Sequence, residues 1–232
     1  MIEIIPAEKR HFNDFGWLQT YWLFSFADYY EQKNVQHGAL RVFNDDIVKP
    51  QTGFERHPHQ EMEIVSIVLE GEMVHQDTLG NTLSIKTGDV QRMTAGTGLY
   101  HSEQNRGNKP VHFFQLWIYP DTQGLAPSYA QKNFTPESCQ NRLTLLASNR
   151  EEGDIVHLNT DASIYRAALL DGRTVSYEPD RNRKIFVYVI DGNLLINGRE
   201  MKKGDQGRSD GKDSLAIAAT GKGDFLLIDV PA

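Results

Sequence analysis

Residues His57 to Glu103 read HPHQEMEIVSIVLEGEMVHQDTLGNTLSIKTGDVQRMTAGTGLYHSE. The stretch opens on His57-Pro58-His59 and closes on His101-Ser102-Glu103, so each end carries two ligand-type side chains separated by one residue. On an extended strand, residues i and i+2 point to the same face. Pro58 cannot donate a ladder hydrogen bond, which fits the start or edge of a strand and still permits extended geometry. Two such strands facing each other inside a barrel bring three imidazoles and one carboxylate towards a single point.

Between the pairs the sequence alternates short apolar runs with turn signals. Glu61 to Leu69 reads as a strand, Glu70-Gly71-Glu72 as a turn and Met73 to Gln76 as the return strand. Asp77 to Asn81 turns again, and Leu83 to Lys86 and Val90 to Thr94 follow before the Ala95 to Gly98 loop. Outward on either side, Val111 to Tyr119 reads as a buried strand and Gly38 to Phe43 as a short one, ended by the turn signal Asn44-Asp45-Asp46. The aromatic-rich segment from Phe12 to Tyr30 reads as an arm packed on the barrel core. Short strands at this spacing, with almost no helical period, predict an all-β sandwich or barrel.

Residues 120–142 change character, with Pro120, Gly124, Pro127 and Pro136 punctuating a polar stretch. They read as a linker, with a short helix around Ala130. The second half then repeats the first. Tyr188 to Asn197 (YVIDGNLLIN) matches Ser66 to His75 (SIVLEGEMVH), and Lys203-Gly204-Asp205 matches Thr87-Gly88-Asp89. The repeat predicts two copies of one barrel: residues 1–130 with the metal site, and residues 131–232 without it. Counted from the matched glycines, His57-Pro58-His59 falls on Glu178-Pro179-Asp180, His101 on Ile217 and Glu103 on Ala219. The second copy keeps the architecture and has lost the imidazoles.

Composition narrows the function. The chain has 232 residues, 24% of them charged, and a net charge of −7, which argues against a nucleic-acid-binding surface. No run of 18 apolar residues predicts a membrane span, and the first residues do not read as a signal peptide. The single cysteine, Cys139, cannot form an intrachain disulfide and reads as an incidental thiol. Together these predict a cytoplasmic protein, monomeric by default.

Three imidazoles and one carboxylate suit a borderline divalent metal: Fe, Mn, Co, Ni, Cu or Zn. Four protein ligands on an octahedral ion leave two positions for a substrate, or for substrate and O2. A structural zinc site would be closed, tetrahedral and richer in cysteine. Glu61 and Glu63 share the parity of His57 and His59 on an unbroken strand, and Glu63 reads as a residue that orients an imidazole. His75 stays open between pocket lining and a surface turn. His11, His37, His112 and His157 read as non-ligands.

These motifs resemble those of the cupin superfamily. The first cupin motif reads here as Gly53, His57, His59, Glu63 and Gly71; the second reads Gly88, Thr94-Ala95-Gly96, His101 and Asn105, with Thr94 where cupins carry proline. The similarity to the pirin family is closer. It rests on Phe24 to Tyr30 (FSFADYY), Leu40-Arg41-Val42, His57-Pro58-His59, Val68 to Gly71, His75-Gln76-Asp77, Gly80-Asn81, Gly88 to Gln91, Met93 to Gly96 and His101-Ser102-Glu103. It is strong over residues 12 to about 130 and holds in outline beyond. Met62-Glu63-Ile64 is similar to the bacterial pirin-like branch.

The resemblance implies a bicupin, that is, two double-stranded β-helix (jelly-roll) barrels. It implies one metal, most often Fe(II), held in the first barrel by His57, His59, His101 and Glu103. It also implies quercetin 2,3-dioxygenase activity on a flavonol and O2, with release of carbon monoxide and Glu103 as general base. Candidate pocket walls are Phe54, Met73, Met93 and Phe114. The alternative is a metal-containing regulatory or redox-sensing pirin that acts through a protein partner.

Overall fold

The computed structural model describes residues 2–150 and 153–232. It contains twenty strands and, among the described residues, no α-helix; two single 3-10 turns, Ala7–Lys9 and Pro136–Cys139, are the helical content. The strands are β1 (Glu3–Ile5), β2 (His11–Asp14), β3 (Leu18–Trp22), β4 (Leu40–Val48), β5 (Thr52–His59), β6 (Glu63–Glu70), β7 (Glu72–Asp77), β8 (Thr82–Lys86), β9 (Asp89–Thr94) and β10 (Leu99–Asn105). They continue as β11 (Val111–Ile118), β12 (Ser128–Asn133), β13 (Thr144–Ser148), β14 (Val156–His157), β15 (Ser163–Leu169), β16 (Thr174–Tyr177), β17 (Arg183–Ile196), β18 (Arg199–Lys202), β19 (Gln206–Ser209) and β20 (Leu215–Pro231).

The first barrel pairs a seven-stranded sheet, ordered β12-β9-β6-β11-β4-β3-β2, with a four-stranded sheet, ordered β5-β10-β7-β8. The second barrel is one nine-stranded sheet along β1-β19-β17-β20-β15-β13-β14, with β16 on β20 and β18 on β17. The two barrels expected from the repeat, and the all-β bicupin that the resemblance implies, are what the chain forms. The first strand in sequence belongs to the second barrel: β1 pairs with β19, Ile4 opposite Gly207. The expected helix at Ala130 is instead strand β12, where Ala130 pairs with Arg92. Ladder partners on β9 override the helix-compatible composition of Tyr129-Ala130-Gln131-Lys132.

The central strands of the seven-stranded sheet are buried on both faces, and that explains their sequence. On β4, Phe43 and Asp45 face the second barrel, where Phe43 packs on Phe186 and Tyr188. Asn44 and Asp46 face the first barrel's interior. On β11 the same alternation sends Phe114, Leu116 and Ile118 into the core shared by the two barrels. Phe113 joins the first barrel's own core, and Gln115 and Trp117 reach its cavity. The expected turn at Asn44-Asp45-Asp46 is therefore a correction: these residues continue β4. Their polarity marks a polar barrel interior on one face and an ion pair with Arg10 on the other.

The second barrel is filled where the first is polar. Ile217 and Leu215 on β20 pair with Val175 and Tyr177 on β16, and Leu194, Ile196, Leu215, Ile217 and Ala219 form part of an apolar core. The counted register is corrected accordingly. Glu178 and Asp180 lie beyond the end of β16, and Val175 and Tyr177 occupy the strand across from Ile217 and Leu215. The lost-ligand reading of this barrel is retained with different residues.

Candidate metal centre and cavity

The four ligand-type residues sit on adjacent antiparallel strands, β5 and β10. His101 is directly opposite His57 and Leu99 opposite His59; a register shift then sets Glu103 opposite Phe54. An irregularity of this kind re-aims side chains beside a site. Gly53 makes it possible, because a Cβ there would collide with the Glu103 carbonyl oxygen. The three imidazoles converge, with ring centroids 4.8 Å apart for His57 and His59, 4.5 Å for His57 and His101 and 4.9 Å for His59 and His101.

Two overlapping donor groups result. Ligand atoms of His57, His59 and His101 all lie within 4.8 Å of one another, and so do those of His75, His101 and Glu103. His101 is common to both. Glu103 thus groups with His101 and His75, while the His57–His59 pair meets it through His101. His75, on β7 opposite Glu103, is fully buried, which removes the surface-turn reading. Its Nε2–H donates to Asp77 Oδ2 at 3.0 Å, leaving Nδ1 as the free lone pair.

The donor chemistry fits a divalent cation. His57 Nδ1–H donates to the Glu55 carbonyl oxygen at 2.7 Å, which leaves Nε2 available. His59 Nε2, both ring nitrogens of His101, His75 Nδ1 and Glu103 Oε1 are buried without a hydrogen-bond partner. Unpartnered buried polar atoms are rare unless something else satisfies them. Burial, reinforced by His57, pulls the His59 imidazole down to about 4. Burial and the neighbouring imidazoles pull His101 down to about 2. Both rings are neutral, which is the form that binds metals. Burial pushes the Glu103 carboxyl up to about 7 against the opposing Gln115 hydrogen bond.

Glu63 is placed elsewhere. Glu61 has φ of +50°, which breaks the strand after His59 and resets the side-chain parity. Glu63 therefore faces the second barrel, where its Oε2 accepts the Asn159 backbone N–H at 3.1 Å. Its expected role of orienting an imidazole is corrected on that ground: it bridges the barrels. His112 binds Asp45, His37 binds the Ile185 and Ser209 carbonyls, and His11 stacks on Tyr29.

Beside the imidazoles opens a cavity of about 530 Å³, walled by Trp17, Trp22, Phe26, Phe54 and Trp117 and floored by Asn44, Asp46 and Gln115. Of the expected walls, only Phe54 lines it. Met73 packs with Ile85 and Phe113, Met93 with Ile64 and Leu99, and Phe114 belongs to the core between the barrels. The aromatic N-terminal arm supplies the walls instead. Gln115 ties wall to cluster: its Nε2–H donates to Glu103 Oε2 and its Oε1 accepts from Trp117 Nε1–H, both at 3.1 Å. Trp117 in turn stands edge-on to His59 at 4.9 Å. The sequence carried a signal for this pair, a polar residue two before a tryptophan in the otherwise apolar run VHFFQLWIY.

A two-barrel all-β chain with a cluster of histidines and a glutamate in the first barrel, and Val175, Ile217 and Ala219 at matching positions of the second, is a bicupin with one metal-type centre. Comparison with known proteins narrows this further. The Pirin family model matches residues 6–118, and that of the quercetinase C-terminal cupin domain matches residues 145–230. The chain belongs to the pirin family. It is 35% identical over 232 residues to the quercetin 2,3-dioxygenase of Escherichia coli (strain K12), covering 100% of this chain and 99% of the relative. It is 36% identical over 230 residues to a pirin-like protein of Caulobacter vibrioides, covering 99% of each. The crystal structure of the bacterial pirin YhhW from Escherichia coli in complex with nickel(II) superposes with a TM-score of 0.94 at 35% identity, covering 100% of this chain and 99% of that one. Among the described residues no helix is long and apolar enough to cross a membrane.

Proposed function

We propose that the chain is a metal-dependent flavonol 2,3-dioxygenase, and that His57, His59, His101 and Glu103 hold one divalent transition metal, Fe(II) by family resemblance. The observation that carries the reading is the donor cluster opening directly onto an aromatic-walled cavity. Its volume, about 530 Å³, falls within the roughly 300–1,000 Å³ of small-molecule sites. Relatives named quercetin 2,3-dioxygenase and a relative's nickel(II) complex support it.

A divalent metal supplies a Lewis acid and a docking point for substrate oxygen and O2. The rest falls to the protein. Trp22, Phe54 and Trp117 receive a planar ring system and exclude water from it. Glu103 accepts the proton of the flavonol 3-hydroxyl, while Gln115 fixes the carboxylate through Oε2 and leaves Oε1 free. Trp117, anchored by the same Gln115, holds the His59 ring edge-on. The overall conversion adds both atoms of O2 to the flavonol, opens its central ring and releases carbon monoxide, leaving a depside.

The test is turnover with metal-loaded protein. Quercetin, O2 and carbon monoxide should be exchanged one for one. Absence of carbon monoxide across a panel of flavonols, with metal occupancy verified, would sink the proposal.

A further inference from the structure

Two polar side chains of β4 are left over by the metal cluster. Asn44 and Asp46 are 4% and 2% exposed, and the Oδ1 atom of each is buried without a hydrogen-bond partner. Both line the aromatic cavity. Asp45, between them, points the other way and is fully engaged: it accepts from Arg10 and from the Tyr188 hydroxyl, and it pairs with His112. Asp46 has no cationic partner. Its neighbours are the Thr20 hydroxyl and two further acids, Asp45 and Glu103, and burial raises its carboxyl to about 8. A buried carboxyl oxygen without a partner costs stability unless a ligand satisfies it.

The register shows what the two residues face. Asn44 lies between Trp22 on β3 and Gln115 on β11, while Asp46 lies between Thr20 and Phe113. A row across the sheet therefore runs from an aromatic wall, over Asn44, to the glutamine that holds Glu103. A planar molecule leaning on Trp22 and reaching the imidazoles crosses this polar floor.

We propose that Asn44 and Asp46 form a polar subsite that hydrogen-bonds a phenolic hydroxyl of the bound aromatic substrate, and that they set which ring-hydroxylation pattern the site accepts. The inference rests on the flavonol reading above and deepens it. A protonated carboxyl and a primary amide each offer both a donor and an acceptor, as a hydroxyl requires. A site built to hydrogen-bond a hydroxyl rejects the analogue that lacks it far more strongly than an apolar slot can.

All three tryptophans of the chain line the cavity, so binding is read directly by quenching of their fluorescence. Metal-loaded wild type, Asp46→Leu and Asn44→Leu are titrated without O2 against quercetin, kaempferol, galangin and fisetin, which differ only in ring hydroxyls, and the thermal midpoint of each protein is recorded. Wild type is expected to separate the panel by about 10-fold or more, and each variant to compress that spread to about 3-fold. The variants' thermal midpoints are expected to hold or rise, because an unpaired buried polar group has been removed. Three outcomes overturn the subsite alone: no discrimination by wild type, an unchanged preference order and spread in both variants, or equal weakening of every flavonol with a lowered midpoint. If no flavonol binds wild type at all, the flavonol reading itself fails and this inference fails with it.

Discussion

Gln115→Leu is the substitution that most directly separates the cavity from the metal cluster. The side chain is 8% exposed and makes two hydrogen bonds of 3.1 Å, one to Glu103 Oε2 and one from Trp117 Nε1. Leucine fills much the same volume and makes neither. Loss of a hydrogen bond to a charged group is worth about 1.5–3 kcal/mol. Read as metal affinity, that is about a 10- to 100-fold loss, the usual range when the residue orienting a metal ligand is removed. Trp117 loses its anchor at the same time, so the His59 ring loses its edge-on neighbour's fixed position. The assay is a competition titration with a chelator of known affinity, with nickel(II) as the probe, alongside the thermal midpoint of the metal-free protein. Leu116→Ala is the control: Leu116 is fully buried on the opposite face of the same strand. It should lower stability by about 2–5 kcal/mol and leave metal affinity within a factor of about two. If Gln115→Leu binds nickel(II) as wild type does, Gln115 does not position Glu103 as a ligand and the assignment of that carboxylate falls.

His101→Ala should abolish metal retention after gel filtration, since His101 belongs to both donor groups; Glu178→Ala should leave it untouched, because Glu178 lies beyond the end of β16. Metal analysis of the two proteins decides it. Phe43→Ala should cost about 3–5 kcal/mol, because Phe43 is fully buried against Phe114, Phe186 and Tyr188; chemical denaturation should still show both barrels unfolding in one transition, and two separated transitions would refute a shared core. Acid should destabilise the protein through His37, whose imidazole burial pulls down to about 4 from the ordinary 6.5. Because the unfolded chain takes up the proton first, this stability is intact above pH 6.5 and drains away as pH falls towards 4, by up to about 3 kcal/mol. His37→Gln should flatten that limb of the stability–pH curve; an unchanged limb would assign it to other groups.

Most of the donor cluster was legible because its spacing is local. His57 and His59, and His101 and Glu103, are i, i+2 pairs, and strand geometry alone puts each pair on one face. What was not legible depended on tertiary placement. Asn44-Asp45-Asp46 carries the composition of a turn, and only a sheet with a polar barrel on one side and an ion pair on the other makes it a strand. Glu63 kept the right parity on paper, but a single left-handed residue, Glu61, turned it to the opposite face. Ala130 sat among helix-compatible residues, and β9 recruited them into a ladder. The crossing of β1 into the second barrel has no local signature, because its partner β19 is some two hundred residues away in sequence. The counted register of the second barrel slipped for a related reason: spans between matched glycines do not conserve length, whereas strand pairing does.

The two barrels carry different interiors on one architecture. The first barrel's interior holds unpartnered polar atoms on Asn44, Asp46, Ser66, Gln91, Glu103, His59, His75 and His101. Each of these costs stability unless a ligand satisfies it. A barrel carrying that load on one face of its main sheet needs the other face well packed. It gets this from the shared core, where Phe43, Phe114, Phe186, Tyr188, Leu226 and Ile228 meet without exposure. On the other side of its sheet the second barrel is filled by Leu194, Ile196, Leu215 and Ile217, with Val175 packed against them. A histidine pair at Val175 and Tyr177 would set two polar rings against this apolar cluster and remove the Tyr177 hydroxyl's hydrogen bond to Asp229.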